Sequence, residues 1–138
     1  MIKIFALPRT KFYQLLDVLT DEEKRQSAFI SINETDPMFV EFQPTSDNYL
    51  NLRFDDVDET TTSSFTEEMA SKIWQFTQKN AEKKAFFIHC TMGKCRSGAV
   101  AEVLSDYFKV PYEEFKRDNP QVQPNSLVKS LLRQKFGL

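Results

Sequence analysis

The chain has few of the residues that build metal centres or disulfide frameworks. Its 138 residues include two cysteines, Cys90 and Cys95, and one histidine, His89. Two neighbouring cysteines are not the disulfide framework of a secreted domain. One histidine without a Cys or His cluster does not support a structural zinc site. We therefore expect no metal, no cofactor and a reducing, cytoplasmic location.

Long apolar runs and an excess of charge are also missing. No apolar run approaches the roughly 18 residues that a membrane helix needs, so no membrane association is expected. The start, MIKIFALPRT, lacks the basic region, long apolar stretch and cleavage site of a secretory signal. The formal net charge is −2, which draws the protein to neither nucleic acid nor an anionic membrane. We expect no nucleic-acid partner, and a monomer by default.

The composition itself is that of an ordinary globular protein, with 41% hydrophobic residues, 28% charged residues and thirteen phenylalanines. This length and composition predict a single domain over residues 1–138 with one core. Runs of β-branched and aromatic residues predict five strands, at 1–7, 27–32, 38–42, 49–54 and 85–89. The last of them, AFFIH, is apolar almost throughout, as in strands that are buried on both faces.

Helical patterns alternate with these strands. Apolar residues recur at helical spacing in four segments, residues 12–19, 65–76, 100–108 and 127–136. Thr20 with Glu23 forms a capping box for a short second helix, and Ser64 with Glu67 has the spacing of another helix start. Strands interleaved with helices predict an α/β domain with a central mixed sheet flanked by helices.

A short loop from Cys90 to Arg96 joins the strand AFFIH to the next helical pattern. Backbone N–H groups at a helix N-terminus have no intrahelical partners and carry partial positive charge. Gly93 permits the tight conformation that turns such N–H groups inward. Arg96 adds a planar fork that matches two oxygens of a phosphate. The loop therefore predicts a cradle for a tetrahedral oxyanion, and its phosphate-binding residues are Thr91, Met92, Gly93, Lys94, Cys95 and Arg96.

Cys90 stands where this cradle would activate it. Helix N-termini and nearby cations lower the pKa of a thiol from about 8.5 to roughly 3.5–7.5. The resulting thiolate is aimed at the bound phosphate, and its attack on phosphorus would give a cysteinyl-phosphate. Ser97 is placed to hydrogen-bond the thiolate and to stabilise it as a leaving group. Cys90, Arg96 and Ser97 are thus the candidate catalytic residues.

The pattern His89-Cys90-x5-Arg96-Ser97 resembles the signature of cysteine-dependent protein tyrosine and dual-specificity phosphatases. The segment YLNLRFDD, followed by a helix and FFIHC, is similar to the general-acid segment of the dual-specificity group and its small bacterial and phage relatives. The segment NPQVQPNSLVKSLL is similar to the one that opens their last helix. The likeness covers residues 49 to 136, and it implies a phosphatase-like fold with the Cys-x5-Arg loop between a strand and a helix.

The resemblance also implies an acid that protonates the leaving oxygen and later activates water. Aligning NLRFDD with the strand-then-Asp pattern of the family assigns this role to Asp56, with Asp58 and Asp55 as alternatives. His89 is expected to order the loop through backbone hydrogen bonds. Asn125 either caps the last helix or supports the phosphate-binding loop.

Cys95 departs from the dual-specificity pattern, which has a hydroxyl residue or glycine before the arginine. Cys90-x4-Cys95-Arg96-Ser97 resembles the loop of low-molecular-weight tyrosine phosphatases, although the order of the other segments does not fit that group. Cys95 is a candidate redox partner that would trap an oxidised Cys90 as a disulfide. The other interpretation is a small residue that fills space.

These residues predict hydrolysis of phosphomonoesters, with protein phosphotyrosine as the leading substrate and dual specificity as an extension. The expected partner is a phosphorylated protein or another phosphoester. The alternatives are a phosphate-binding module without catalysis and the same chemistry on RNA 5′-phosphates or phosphoinositides. Lys94 favours the more acidic of these substrates, and the absence of a strongly basic segment argues against RNA.

Overall fold

A computed structural model describes residues 2–36 and 45–138 of the chain. Four strands and six helices follow one another along the described residues: β1 Lys3–Pro8, α1 Arg9–Val18, α2 Asp21–Arg25, β2 Ser27–Asn33, β3 Tyr49–Arg53, α3 Glu67–Lys79, β4 Ala85–Cys90, α4 Arg96–Tyr107, α5 Tyr112–Asp118 and α6 Ser126–Phe136. The predicted strands at 1–7, 27–32, 49–54 and 85–89 are confirmed to within about two residues at each end. The fifth, at 38–42, lies outside the described residues.

The four described strands form one sheet in the order β1-β4-β2-β3. Every pairing in it is parallel, and Ile88 of β4 lies between Ala6 of β1 and Ile30 of β2. We expected a mixed sheet, whereas this part of the chain forms a parallel one. Parallel strands require crossover connections, and helices supply two of them: α1 and α2 connect β1 to β2, and α3 connects β3 to β4. The carboxyl ends of all four strands consequently meet at one edge of the sheet.

Helices cover both faces of the sheet. Alternate residues of β2 and β4 enter two different apolar clusters, because successive side chains of a strand point to opposite faces. One cluster contains Phe29 and packs on α1 through Phe12 and Leu16. The larger cluster contains Ile30 and Ile88 and is completed by apolar residues of α3, α4 and α6. All seven residues of β2 are buried, as expected for an inner strand of a sheet covered on both faces.

Two predicted helix starts had different outcomes. The capping box is confirmed: Thr20 N donates to Glu23 Oε1 at 2.9 Å, and Glu23 N donates to Thr20 Oγ1 at 3.1 Å. The predicted start at Ser64 is wrong by two residues, because α3 is capped by Thr66, whose Oγ1 accepts from Met69 N at 3.2 Å. Ser64 closes the preceding turn instead, through reciprocal hydrogen bonds with the backbone of residue 61 at 2.9 Å.

No helix within residues 2–36 and 45–138 is long and apolar enough to cross a membrane.

Candidate active site

The segment from Cys90 to Arg96, called the phosphate loop below, lies at the carboxyl edge of the sheet. Cys90 is the last residue of β4 and Arg96 is the first residue of α4, so the predicted strand–loop–helix arrangement is present. Ligands of open α/β sheets bind outside this edge, where the strand ends and the helix N-termini meet. The fold therefore places the sequence-predicted thiol and guanidinium at the edge where a site is expected.

Within residues 91–95 of the phosphate loop, four carbonyl groups accept hydrogen bonds from donors outside the loop. Those of Thr91, Gly93, Lys94 and Cys95 accept hydrogen bonds from Arg9 N at 3.2 Å, Gln121 Nε2 at 2.9 Å, Gln123 N at 3.0 Å and Asn125 N at 3.0 Å. No described peptide bond is cis, so each N–H points away from the carbonyl of the preceding residue. Outward carbonyls therefore turn the following N–H groups inward, which is the backbone arrangement that an anion-binding nest requires.

Gly93 is required by two separate features of its position. Its φ of +69° lies in the left-handed region, as the sequence predicted for the tight loop. A Cβ at this position would also lie 2.5 Å from Leu7 C and 2.5 Å from Pro8 N, inside contact distance. The loop is thus pressed against the junction of β1 and α1, which only a residue without a side chain allows.

The thiol of Cys90 is buried, and its Sγ lies 3.1 Å from Ser97 Oγ. Burial by itself raises the pKa of this thiol. Hydrogen bonds from the side chain and backbone N–H of Ser97, the charge of Arg96 and the N–H of Gly93 outweigh burial and bring the pKa below its usual value. The surroundings of Cys90 therefore favour a thiolate.

Arg96 is nearly covered, with 6% of its side chain exposed. Its Nη1 donates to Phe54 O at 3.0 Å, and its Nη2 donates to Glu34 Oε1 and Thr91 Oγ1, both at 3.1 Å. Its Nε is buried and has no hydrogen-bond partner among the described residues. No side chain caps α4 at Cys95. One bound oxyanion would satisfy both the buried donor and the uncapped helix N-terminus.

His89 is fully buried behind the nucleophile. Its Nδ1 lies 3.2 Å from Cys90 O and its Nε2 lies 2.6 Å from Ser31 Oγ. Burial is the main reason that the pKa of His89 is lowered to about 4. Its ring is therefore neutral near pH 7. The expected hydrogen bond to the loop backbone is therefore present.

No protein-family model and no curated protein sequence matches the chain. Solved structures do match it over nearly its whole length. One is the human tyrosine phosphatase-like serine/threonine/tyrosine-interacting protein, at a TM-score of 0.57 and 16% identity over 96% of this chain and 86% of that one. Another is PTPMT1 in complex with PI(5)P, at a TM-score of 0.55 and 15% identity over 98% and 90%. A third is OH1 from Orf virus, a tyrosine phosphatase with triple substrate specificity. Its TM-score is 0.54 and its identity is 16% over 99% of this chain and 83% of that one.

The chain has the tyrosine phosphatase fold. At this level of identity the likeness establishes the architecture, while the chemistry has to be argued from the side chains of this chain.

Two site residues of this phosphatase fold were not found from the sequence. Glu34 lies between two arginines: its Oε1 accepts from Arg96 at 3.1 Å and its Oε2 accepts from Arg9 at 2.6 Å. It also accepts a hydrogen bond from Thr91 Oγ1. Burial alone would raise the pKa of Glu34, but the hydrogen bonds of Thr91, its own backbone N–H, Arg96 and Arg9 lower that pKa to about 2. This carboxylate is therefore ionised at any ordinary pH.

A topological rule would have found both residues. Arg9 follows the last residue of β1 and Glu34 follows the last residue of β2. Polar residues directly after parallel strands gather at the carboxyl edge. The sequence pattern offered the strands but not their parallel pairing, so neither residue was singled out.

The three candidate acids have different surroundings. Asp55 accepts from Thr35 N at 3.0 Å and from the Thr35 hydroxyl, and the backbone bond in particular holds the pKa of this carboxyl below its usual range. Asp56 Oδ1 accepts from Asn125 Nδ2 at 2.8 Å. Asp56 and Asp58 both line a pocket of about 660 Å³ that also contains Cys95. The fold thus brings Asp56 and Asp58 beside the phosphate loop, whereas Asp55 is hydrogen-bonded to Thr35, just after β2.

The remaining predicted residues lie on the rim of the loop. Met92 is 61% exposed, a high value for so large an apolar side chain, and Lys94 is exposed as well. Cys90 and Cys95 are both free thiols. The partly exposed Cys95 has a raised pKa, first through burial and then through the Asp56 carboxylate and Cys90. Of the two cysteines, Cys90 is the one whose surroundings favour the nucleophilic form.

Proposed function

We propose that this protein hydrolyses phosphomonoesters through a cysteinyl-phosphate, with protein phosphotyrosine as its leading substrate. One observation carries the proposal: a buried thiol of lowered pKa lies beside inward-turned N–H groups and the unpaired buried Nε of Arg96. A pure phosphate-binding module needs the donors but not the activated thiol. The combination supports catalysis.

In the first step, the Cys90 thiolate attacks phosphorus in line with the leaving oxygen. The phosphorus–oxygen bond breaks as the sulfur–phosphorus bond forms, and the leaving oxygen takes a proton from Asp56. The loop N–H groups and Arg96 stabilise the equatorial oxygens, where charge is spread in the transition state. The products are an alcohol or phenol and a cysteinyl-phosphate.

In the second step, water attacks the cysteinyl-phosphate. Asp56, now a carboxylate, takes a proton from that water as its oxygen bonds phosphorus. The sulfur–phosphorus bond breaks and sulfur departs as a thiolate, to which Ser97 donates a hydrogen bond over the 3.1 Å that separates Sγ from Oγ. Inorganic phosphate leaves and the enzyme returns to its starting state.

Two features of the rim support phosphotyrosine over more acidic substrates. The exposed thioether of Met92 offers an apolar contact for an aromatic ring. The pocket next to the loop is lined by the carboxylates of Asp56, Asp58 and Glu59, which disfavour a second phosphate there. Lys94 favours an acidic substrate, but it is a single charge on an exposed side chain.

The test is release of nitrophenol from para-nitrophenyl phosphate in the presence of a chelator, with wild type compared to Cys90→Ser and Arg96→Lys. We expect chelator-resistant turnover in wild type, none in Cys90→Ser, and a large loss in Arg96→Lys because lysine lacks the planar fork. Phosphotyrosine and phosphoserine peptides of one sequence then decide the substrate. If reduced, folded wild type is inactive while inorganic phosphate still protects Cys90 from alkylation, the protein is a binding module.

A further inference from the structure

Arg9 is the first residue of α1, far in sequence from every motif that predicts the site. Its backbone N–H donates to Thr91 O at 3.2 Å, within the phosphate loop. Its guanidinium donates to Asn33 through Nε at 3.2 Å, and through Nη2 to Glu34 at 2.6 Å and to Thr91 Oγ1 at 3.4 Å. From Asn33 and Glu34, separate hydrogen-bond chains lead to the two central residues of the site.

The first chain leads from Arg9 to the nucleophile. Arginine can only donate, so Asn33 Oδ1 accepts and the amide Nδ2 faces Ser31 Oγ, at 3.3 Å. The hydroxyl of Ser31 then donates to His89 Nε2 at 2.6 Å. A neutral histidine that accepts at Nε2 carries its proton on Nδ1, which donates to Cys90 O at 3.2 Å.

The two ends fix the direction of this chain, because Arg9 can only donate and the Cys90 carbonyl can only accept, which puts the proton of the neutral His89 ring on Nδ1. The chain ends by holding the Cys90 carbonyl outward, which turns the next N–H into the cradle. Ser31, Asn33 and His89 are all buried, so little water competes for these bonds.

The second chain leads from Arg9 to the phosphate-binding guanidinium and is shorter. Arg9 Nη2 and Arg96 Nη2 donate to the two oxygens of the same carboxylate, that of Glu34, at 2.6 and 3.1 Å. Glu34 thereby fixes the rotation of the Arg96 fork about its long side chain, and Arg9 fixes Glu34.

We propose that Arg9 is a positioning residue that aligns the nucleophile with the phosphate-binding arginine. One of its hydrogen-bond chains ends at Cys90 and the other ends at Arg96. The inference rests on the proposed function, since alignment matters only if the two residues act on one phosphate. The ligand class is an oxyanion that touches both of them.

The test measures alignment without requiring turnover. The rate at which iodoacetamide alkylates Cys90 is followed from pH 5 to pH 9 by peptide mass spectrometry, which separates Cys90 from Cys95. The concentration of inorganic phosphate that halves the alkylation rate of Cys90 is measured in the same assay. We expect Arg9→Gln to lower the Cys90 rate at pH 6 about tenfold, and to raise the phosphate concentration for half-protection about tenfold, because buried charged hydrogen bonds are lost.

Two variants separate positioning from the simple loss of a positive charge. Arg9→Lys keeps the charge without the fork and should show most of the same loss. Lys11→Gln removes a charge from an exposed residue of the same helix and should have no effect. Arg9→Lys is also the deciding variant if Arg9→Gln is found unfolded by circular dichroism.

A double-mutant cycle tests the chain itself. Ser31→Ala breaks the first chain without changing any charge, so it should slow Cys90 alkylation on its own. If Arg9 acts through Ser31, the effects of Arg9→Gln and Ser31→Ala do not multiply in the double variant. The inference is wrong if the two effects multiply in the double variant. It is also wrong if Arg9→Lys leaves Cys90 alkylation unchanged, as Lys11→Gln should.

These results are separable from those for the proposed function. Alkylation and phosphate protection report on Arg9 even in a protein that never turns over. If wild type is active but the Arg9 variants leave Cys90 alkylation and phosphate protection unchanged, only the positioning role is wrong. If wild type is inactive but the Arg9 variants change both readouts, only the proposed hydrolysis is wrong.

Discussion

The side-chain amide of Asn125 donates to the Asp56 carboxylate at 2.8 Å while its oxygen accepts from Val128 N at 3.0 Å. The same amide also donates to Val57 O at 3.0 Å. One side chain therefore caps α6 and fixes the acidic loop. Sequence reasoning offered capping and support of the phosphate loop as alternatives. The side chain caps the helix and holds Asp56, while the Asn125 backbone N–H supports the loop at Cys95 O, 3.0 Å away.

The first prediction concerns the general acid. Asp56→Asn should slow nitrophenyl phosphate about tenfold and an alkyl phosphate at least about hundredfold, because a poor leaving group depends more on protonation. Phosphate protection of Cys90 should be unchanged. The measurement is kcat and KM for both substrates. Asp58→Asn and Asp55→Asn are the matched comparisons. If one of them, and not Asp56→Asn, slows the alkyl phosphate more than nitrophenyl phosphate, that residue is the general acid.

The second prediction uses two glycines that share a positive φ. Gly93 and Gly137 have φ of +69° and +71°, but a Cβ on Gly137 would meet nothing within 4 Å. Gly137→Ala should therefore cost only backbone strain, about 1–2 kcal/mol in the free energy of unfolding. Gly93→Ala adds a clash with Leu7 and Pro8 and should cost at least about 3 kcal/mol, with a loss of more than about hundredfold in kcat/KM. Equal costs in urea unfolding would contradict the crowding argument.

The third prediction is a pH dependence of stability that arises from His89, the only histidine in the chain. Its pKa falls from 6.5 to about 4 on folding, so the unfolded state binds more protons between these values. Stability therefore rises with pH through this window and is lost as pH falls. Between pH 7.5 and pH 5 the loss should be about 2 kcal/mol.

The measurement is urea unfolding at several pH values in a Cys90→Ser background. This background is needed because the lowered pKa of Cys90 contributes with the same sign. His89→Gln in the same background should be nearly flat from pH 5 to pH 7.5. A slope that persists in the His89→Gln variant would assign the pH dependence to other groups.

The fourth prediction concerns oxidation. Peroxide converts the Cys90 thiolate to a sulfenic acid, and attack by the Cys95 sulfur on that sulfur would give a disulfide and release water. We expect a Cys90–Cys95 peptide in mass spectra of peroxide-treated protein and recovery of activity with a thiol reductant. In Cys95→Ser, Cys90 should advance to the sulfinic acid and activity should not return. Without the linked peptide, Cys95 is a residue that fills space.

Local features of the fold followed from neighbouring residues. The capping box at Thr20 was predicted correctly because both of its partners lie within one helical turn. The start of α3 was misplaced because Ser64 and Thr66 are both good caps, and only the preceding turn decides which one is free. The parallel pairing of the described strands was not predicted, since strand patterns carry no direction.

The sequence by itself determined the chemistry of one segment: a thiol, a glycine and a guanidinium in seven consecutive residues between a strand and a helix. Only the tertiary structure decided what surrounds it. Arg9 and Glu34 reach the phosphate loop because the parallel strands that they follow end at one edge, and Asn125 reaches it from the start of α6. The physical reason is that a nest of N–H groups forms from contiguous backbone, whereas the bonds that orient it depend on strand order, which no local pattern encodes.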